Sequence, residues 1–199
     1  MSITRDVTER NQAEADLKRK LDETSILHEI SEIGASLMDE DSLIHRVTQL
    51  MNETFYSDHL GVLLLDEDEE ILSPHPTYIG ITPEYYSRKV SLGEGVSGKV
   101  AQTGKPMMIS DVSQFEDYIP TGRELRSEIC APLIVSQKVI GVINVESKEF
   151  NAFSEDDIHL LTTIASQLAT AIERTRLYRD LVRSNQELNA AYNLSLIHI

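Results

Sequence analysis

Residues 126–145 read Arg-Ser-Glu-Ile-Cys-Ala-Pro-Leu-Ile-Val-Ser-Gln-Lys-Val-Ile-Gly-Val-Ile-Asn-Val. Two apolar runs within this stretch, Ile129–Val135 and Val139–Val145, have the length and the β-branched content of strands. Because Ser136-Gln137-Lys138 alone separates them, they favour an antiparallel hairpin. The stretch therefore predicts the centre of a largely antiparallel sheet.

Further short apolar runs extend this sheet toward the N-terminus. The strand candidates are Leu60–Leu65, Glu70–Leu72 and Pro106–Ile109. The acidic segment Asp66–Glu70 joins the first two as a polar hairpin connection. A short helix is expected from Thr82-Pro83, with proline in its first turn, and another over Val96–Thr103, closed by Gly104.

Longer helices flank these strands. Apolar residues recur at steps of three and four over residues 9–38, and a second helix is expected from about Asp41. Ser154 followed by Asp157 is typical of a helix start, and the last helix follows it. After Arg174 its apolar row changes phase and becomes heptad-like, which predicts an outgoing coiled coil.

The length of 199 residues allows one domain with flanking helices. We place the domain at residues 25–172, an incoming linker at 1–24 and an outgoing coiled-coil helix at 173–199. The closing Leu194–Ile199 departs from the polar pattern before it, and we interpret it as a truncation point or a non-native tail.

Charge excludes some classes of partner. The chain has 18 Lys and Arg against 33 Asp and Glu, a formal net charge of -15. We therefore expect no nucleic acid partner and no membrane contact. Residues 25–172 hold 9 basic and 24 acidic groups, but residues 88–126 hold 6 and 5. Residues 88–126 are thus the part of the domain best suited to a modest anion or zwitterion.

Cysteine usage and hydropathy indicate a cytoplasmic protein. Cys130 is the one cysteine, which excludes an intrachain disulfide and a zinc site of paired thiolates. No apolar run approaches the roughly 18 residues that a membrane span requires.

The glycine-rich segment Gly93–Lys99 has the spacing of two phosphate-binding motifs. A P-loop requires Ser or Thr after the lysine, where Val100 stands, and a dinucleotide site requires a buried parallel strand, which residues 88–92 do not form. We therefore expect neither ATP nor NAD. The free N–H groups at the start of the following helix can still hold an anion or a carbonyl oxygen of a small ligand.

Five segments together resemble a GAF domain over about residues 25–172. They are Leu92–Pro106, Ile109–Val112, Arg126–Ile134, Val139–Val145 and Phe153–Asp157. The resemblance implies an α+β fold with a six-stranded antiparallel sheet. It also implies long N- and C-terminal helices packed on one face, a homodimer through those helices and a small-molecule pocket on the other face.

The two ends resemble connections to other domains. Asp6-Val7-Thr8 is similar to the exit of a PAS domain, and Ser184–Tyr192 is similar to helices that lead into HD-GYP cyclic di-GMP phosphodiesterases. A histidine kinase or a diguanylate cyclase downstream would fit nearly as well. These resemblances suggest two-component or cyclic di-GMP signalling.

The chain departs from several ligand-binding branches of the family. Ser147-Lys148 and Ile158 break the pattern of cyclic-nucleotide binders, and Cys130 is followed by Ala131 rather than by the histidine of bilin binders. Members that reduce free methionine sulfoxide require several cysteines, whereas this chain has one.

Candidate ligand residues come from the glycine-rich turn and the segment after it. They are Gly95, Val96, Asp111, Phe115, Tyr118, Arg126, Ser127 and Cys130. Core packing is the alternative role for Phe115, Tyr118 and Cys130. We find no catalytic motif and no metal-ligand spacing, so we expect no enzymatic activity in this fragment, no cofactor and an unidentified small-molecule effector at most.

We carry three hypotheses of function. The first is a sensory GAF module that dimerises and relays a small-molecule or upstream PAS signal through helices to an output domain outside this sequence. The second is a GAF-type free methionine sulfoxide reductase that uses Cys130. The third is a purely structural dimerisation domain.

Overall fold

The structure is a computed structural model that describes Lys20 and residues 24–33, 39–55, 57–119 and 124–197. The helix expected over residues 9–38 is helical at Lys20 and over 24–33, and its other residues lie outside the described ones. The proposed PAS exit at Asp6-Val7-Thr8 also lies outside them.

The described residues form six strands: β1 (His59–Asp66), β2 (Ile71–Pro74), β3 (Val90–Ser91), β4 (Met107–Ile109), β5 (Ser127–Val135) and β6 (Lys138–Ser147). They pair antiparallel in one sheet, in the order β3-β2-β1-β6-β5-β4. The α+β, GAF-like fold class expected from the sequence is confirmed.

The β5–β6 hairpin lies at the centre of this sheet, as its sequence predicts. Val135 pairs with Lys138, and the two turn residues Ser136 and Gln137 have φ values of 48° and 70°. Positive φ at both central positions is the conformation in which a two-residue turn matches the twist of its strands. The hairpin places β5 and β6 in register along nearly their whole length.

The sequence patterns missed one strand. β3 has two residues, Val90 and Ser91, which pair with Leu72 and Ile71 of β2. A strand of two residues is too short to show an alternation of period two, so pairing with β2 determines it rather than local sequence.

Helices begin and end near the positions expected from the sequence. Glu94 precedes α4, and Gly104 ends it in the left-handed conformation, with φ 64°. The helices are α1 (described over residues 24–33), α2 (Glu40–Phe55), α3 (Pro83–Tyr86), α4 (Gly95–Thr103) and α5 (Glu155–Ile197), with a 3₁₀ turn at Val112–Gln114.

The start of α5 has the expected reciprocal cap. The Ser154 N–H donates to Asp157 Oδ2 at 2.7 Å, and the Asp157 N–H approaches Ser154 Oγ at 3.4 Å. Glu155 and Asp156 add negative charge to the first turn, where the helix dipole favours it. From this cap the helix runs without interruption for 43 residues.

Helices α2 and α5 pack on one face of the sheet and form the larger core. Val47 and Met51 of α2 and Ile164 and Leu168 of α5 are fully buried there. Side chains alternate along each strand, so Ile129 points to these helices and its neighbours point away. The opposite face is covered by α4 and carries a second, smaller core.

An ion pair fastens α5 to the N-terminus of α2. Arg176 donates from Nε and Nη2 to the two carboxylate oxygens of Glu40, at 3.0 and 2.5 Å. Glu40 is nearly buried, and Arg179 Nη2 lies 3.9 Å from the same carboxylate. Beyond Arg176, the described side chains of α5 are exposed. The pair therefore marks the point at which the helix leaves the domain.

We predict that Arg176→Ala lowers the free energy of unfolding by about 1–2 kcal/mol, because it removes two charged hydrogen bonds and leaves Glu40 nearly buried. Denaturant unfolding measures the change. Arg183→Ala is the matched control, since Arg183 pairs with Asp180 in an exposed position, and should change stability by no more than about 0.5 kcal/mol. Equal effects of the two variants would contradict this role for Arg176.

Candidate small-molecule cavity

A cavity of about 80 Å³ lies on the sheet face opposite α2 and α5. One water occupies roughly 10–15 Å³ on the same scale, so there is room for several waters or one compact organic molecule. The cavity is lined by Leu63, Pro74, Tyr78, Ile81, Tyr85, Arg88, Val90, Glu94, Gly95, Val96, Ser97, Tyr118, Ile119, Glu128, Asn144 and Glu146.

Two carboxyl groups form its floor. Glu128 of β5 and Glu146 of β6 are directly opposite in the hairpin register, and each is only 3% exposed. Like charges at facing positions destabilise a sheet, and burial strengthens the repulsion. Burial, followed by the charge of Glu146, raises the pKa of Glu128 well above its ordinary range.

Asn144 lies beside these carboxyl groups. Its Nδ2 donates to the hydroxyl oxygen of Tyr78 at 3.1 Å, and Oδ1 accepts no hydrogen bond from any described residue. Gly61 makes room for the Tyr78 ring, because a Cβ there would lie 2.4 Å from ring carbons. An acceptor atom is therefore left unpaired next to two acidic groups.

His59 continues the same row of side chains onto β1. It is buried, and its Nδ1 lies 3.5 Å from Glu146 Oε2. Neither ring nitrogen makes a hydrogen bond with the part of the chain that the structure describes. The row His59, Glu146 and Glu128 thus crosses three adjacent strands.

The first turn of α4 forms another wall of the cavity. Gly95 and Val96, both candidate ligand residues from the sequence, line it, as does Ser97. Tyr118, a third candidate, lines it from the segment that follows the 3₁₀ turn. These three candidates are brought together by the fold.

The other candidates lie outside the cavity lining. Cys130 is fully buried behind Ser97, with its Sγ 4.0 Å from Ser97 Oγ. Ser127 is buried and donates from Oγ to the carbonyl of Glu149 at 2.7 Å. Cys130 is thus placed as a small core residue, which is the alternative role considered for it above.

Three further candidates line or flank a shallow depression beside β4. Asp111 and Phe115 line that depression together with Phe150. The Arg126 guanidinium lies over the Phe150 ring, 5.2 Å from its centroid.

Sequence reasoning missed four buried lining residues that carry polar groups: Tyr78, Glu128, Asn144 and Glu146. A usable signal was present, since Glu128, Asn144 and Glu146 are polar residues at every second position of otherwise apolar strands. In a sheet covered on both faces, such positions point into a buried space and require a partner.

The chemistry of Cys130 is unlike that of an activated thiol. Burial, followed by the charge of Glu128, raises its pKa well above the ordinary value, which disfavours the nucleophilic thiolate. Among the described residues, no group of three or more His, Cys, Asp or Glu side chains could hold a metal ion. Nor is any helix in the described ranges long and apolar enough to span a membrane.

Known proteins are similar to this chain over most of its domain. The chain is 30% identical over 156 residues to the nitrogen fixation protein AnfA of Azotobacter vinelandii, covering 74% of this chain and 29% of that protein. It is 28% identical to the free methionine-R-sulfoxide reductase of Escherichia coli, covering 81% of this chain and 89% of the enzyme.

A solved structure is similar as well. The free methionine-R-sulfoxide reductase of Neisseria meningitidis in complex with its substrate has a TM-score of 0.72 and 25% identity, over 78% of this chain and 91% of the enzyme. These similarities to enzymes show that the expectation of no enzymatic activity was wrong. That expectation relied on the absence of a catalytic motif in the sequence, and this criterion does not distinguish the chain from the enzymes to which it is similar.

The sequence profile of the GAF domain matches residues 38–173. That range contains all six strands, the cavity and the first part of α5. The resemblance drawn from the glycine-rich turn and the central hairpin is thereby confirmed, and the chain belongs to the GAF-domain family.

Proposed function

We propose that this GAF domain binds a small, positively charged molecule in the cavity on the β5–β6 hairpin. The observation that carries the proposal is the facing pair of buried carboxyl groups, Glu128 and Glu146. Among the described residues, no Lys or Arg lies within ion-pair distance of either group. A cationic group of a ligand would neutralise the repulsion, and water would compete little for two carboxyl groups that are each 3% exposed.

Free methionine sulfoxide is the first candidate ligand. It is the substrate after which the similar reductases of E. coli and N. meningitidis are named, and its ammonium group supplies the required charge. Other free amino acids and primary amines have the same charged group and belong in the same binding screen.

We predict that Glu128→Gln weakens binding of methionine sulfoxide, or of any cationic hit from that screen, by about 30-fold or more, because it removes one partner of a buried charge pair. Isothermal titration calorimetry measures the affinity. Glu124→Gln is the matched control, since Glu124 is exposed and lies four residues earlier in the chain. Unchanged affinity in Glu128→Gln would refute the proposed site.

The same variant should stabilise the unliganded protein. The raised pKa of Glu128 means that the wild type loses stability as pH rises above the ordinary carboxyl pKa and through the folded-state value. Glutamine does not titrate, so the gain should be near zero at pH 4 and grow as the pH rises toward 8. Denaturant unfolding at the two pH values checks this, and a gain that shrinks with rising pH would contradict it.

Reduction of the bound sulfoxide is the second candidate function, and the similarities to the two reductases favour it. In such a step a thiol attacks the sulfoxide sulfur, the S–O bond breaks, the oxygen passes to the cysteine sulfur as a sulfenic acid, and methionine is released. Two external thiols then reduce the sulfenic acid to the thiol, and water and the disulfide of the external thiols are released. Cys130 is the one thiol in the chain, and its burial makes it a poor nucleophile in this conformation.

We predict that any turnover of free methionine-R-sulfoxide with dithiothreitol is lost in Cys130→Ser, while binding of the sulfoxide persists. Chromatographic detection of methionine measures turnover, and calorimetry measures binding. Turnover that survives in Cys130→Ser would exclude a thiol mechanism in this chain. Absence of turnover in the wild type, with binding retained, would favour a sensor over a reductase.

The sensory role requires a route from the cavity to an output. The Nif-specific regulatory protein of Herbaspirillum seropedicae is a regulatory relative by name, 22% identical over 172 residues, and this chain spans 31% of its length. In our proposal the GAF domain pairs with a second copy through its terminal helices, and a bound ligand biases the arrangement of that helix pair. The support is the exposure of Leu177, Leu181 and Leu188 on α5, at 63%, 64% and 69%. If no small molecule binds, the purely structural dimeriser becomes the better hypothesis.

We predict that Leu181→Asp converts a dimer into a monomer, because it places a charge in the apolar row that would form the helix pair. Sedimentation velocity at tens of micromolar measures the state. Arg183→Asp is the control, because it adds the same side chain at an exposed position that pairs within its own helix. A wild type that sediments as a monomer would contradict the helix-paired sensor.

A further inference from the structure

The start of α4 forms one wall of the cavity and carries hydrogen-bond donors, whereas Glu128 and Glu146 form the acidic floor. Glu94 precedes α4, but its carboxylate accepts the N–H of Ser91 at 3.0 Å and lies 3.9 Å from Arg88 instead of capping the helix. The N–H groups of Gly95, Val96 and Ser97 therefore make no hydrogen bond with any described residue. All three residues line the cavity.

The backbone conformation at this wall favours an anion. Gly95 has φ +63°, and the residues after it are right-handed helical. In this alternation consecutive N–H groups converge on one point and form a concave anion site. The positive end of the nine-residue helix α4 adds to the same field.

The second observation is a buried polar atom in the cavity that has no hydrogen-bond partner among the described residues. Asn144 is 5% exposed, lines the same cavity, and leaves Oδ1 without a hydrogen bond to the described residues. An oxygen acceptor beside Glu128 and Glu146 requires a donor such as an ammonium group. One end of the cavity therefore presents acceptors and the other end presents donors.

The two ends of the cavity are related through β5. Ser97 Oγ lies 4.0 Å from Cys130 Sγ, and Glu128 precedes Cys130 by two residues in the same strand, so the backbone positions of Cys130 and Glu128 are about 7 Å apart. An α-amino acid places its ammonium and carboxylate roughly 3 Å apart. With a hydrogen bond of about 2.9 Å at each end, it bridges a gap of that order.

We propose that the ligand is a zwitterion, a free α-amino acid, whose carboxylate is held by the N–H groups of Gly95–Ser97 while its ammonium group faces Glu128 and Glu146. This proposal rests on the proposed function and adds the carboxylate subsite to it. An amine without a carboxylate would leave the N–H groups unpaired. A carboxylate without an amine would meet two acidic groups with no compensating charge.

Matched ligands test the subsite on the wild-type protein. The panel consists of methionine sulfoxide and the twenty standard amino acids, and each hit is compared with its decarboxylated amine; for methionine sulfoxide this is 3-(methylsulfinyl)propylamine. Calorimetry should give an affinity at least about tenfold higher for the amino acid than for the amine, because a charged hydrogen-bonded group is lost. Equal affinities would overturn the carboxylate subsite and leave the cation site intact. If neither compound of any pair binds, both proposals fail.

A backbone substitution tests the position of the subsite. Val96→Pro deletes one N–H in the first helical turn, where proline is tolerated, and Val96→Ala is the control that keeps it. Val96→Pro should lose the preference for the amino acid over the amine, and Val96→Ala should keep it. A preference that persists in a folded Val96→Pro protein, as judged by circular dichroism, would place the carboxylate elsewhere. If that variant does not fold, the wild-type ligand pairs still decide.

Discussion

The repulsion between two carboxyl groups buried face to face on the central hairpin constrains the whole binding face of the domain. Glu128 and Glu146 are fixed opposite each other by the β5–β6 register, so their Cβ atoms stay adjacent as long as the ladder is intact. A proton on Glu128 or a cation between the groups relieves the repulsion. The neighbouring side chains of Asn144 and Tyr78, and the open turn at the start of α4, all surround the space in which that compensation must occur.

The same two strands also hold the domain together. Ile129 and Val145 alternate with the acidic residues and bury against α2 and α5, where most of the large fully buried side chains lie. Burial of such side chains contributes about 1.5–3 kcal/mol each and offsets the cost of the polar face. The two buried carboxyl groups, which lower the stability of the unliganded domain, therefore lie on two strands whose alternate side chains pack against α2 and α5. This arrangement is expected when a protein gives up stability for binding.

The sequence was informative wherever structure follows from local chemistry. The hairpin at Ser136-Gln137, the cap at Ser154 and the left-handed end of α4 at Gly104 all depend on residues close together in the chain, and each is found where expected. The cavity was harder to predict from the sequence, because Glu128 and Asn144 meet only through strand pairing and Tyr78 reaches them from the loop after β2. The candidates Asp111, Phe115 and Arg126 were chosen by proximity in sequence to the glycine-rich turn, but the chain carries them past the cavity to the far edge of the sheet.

The ion pair between Arg176 and Glu40 holds α5 at the domain surface, and the rest of the helix extends beyond that point. At a rise of 1.5 Å per residue, the helix from Arg176 to Ile197 projects roughly 32 Å. A tilt of α5 by about 5° at this ion pair would move the far end of the helix by nearly 3 Å, about half the 5.4 Å pitch of a helical turn. A displacement too small to disturb packing beside the sheet thus becomes, at the far end of α5, larger than the roughly 1–2 Å helix shifts that separate switching states at subunit interfaces.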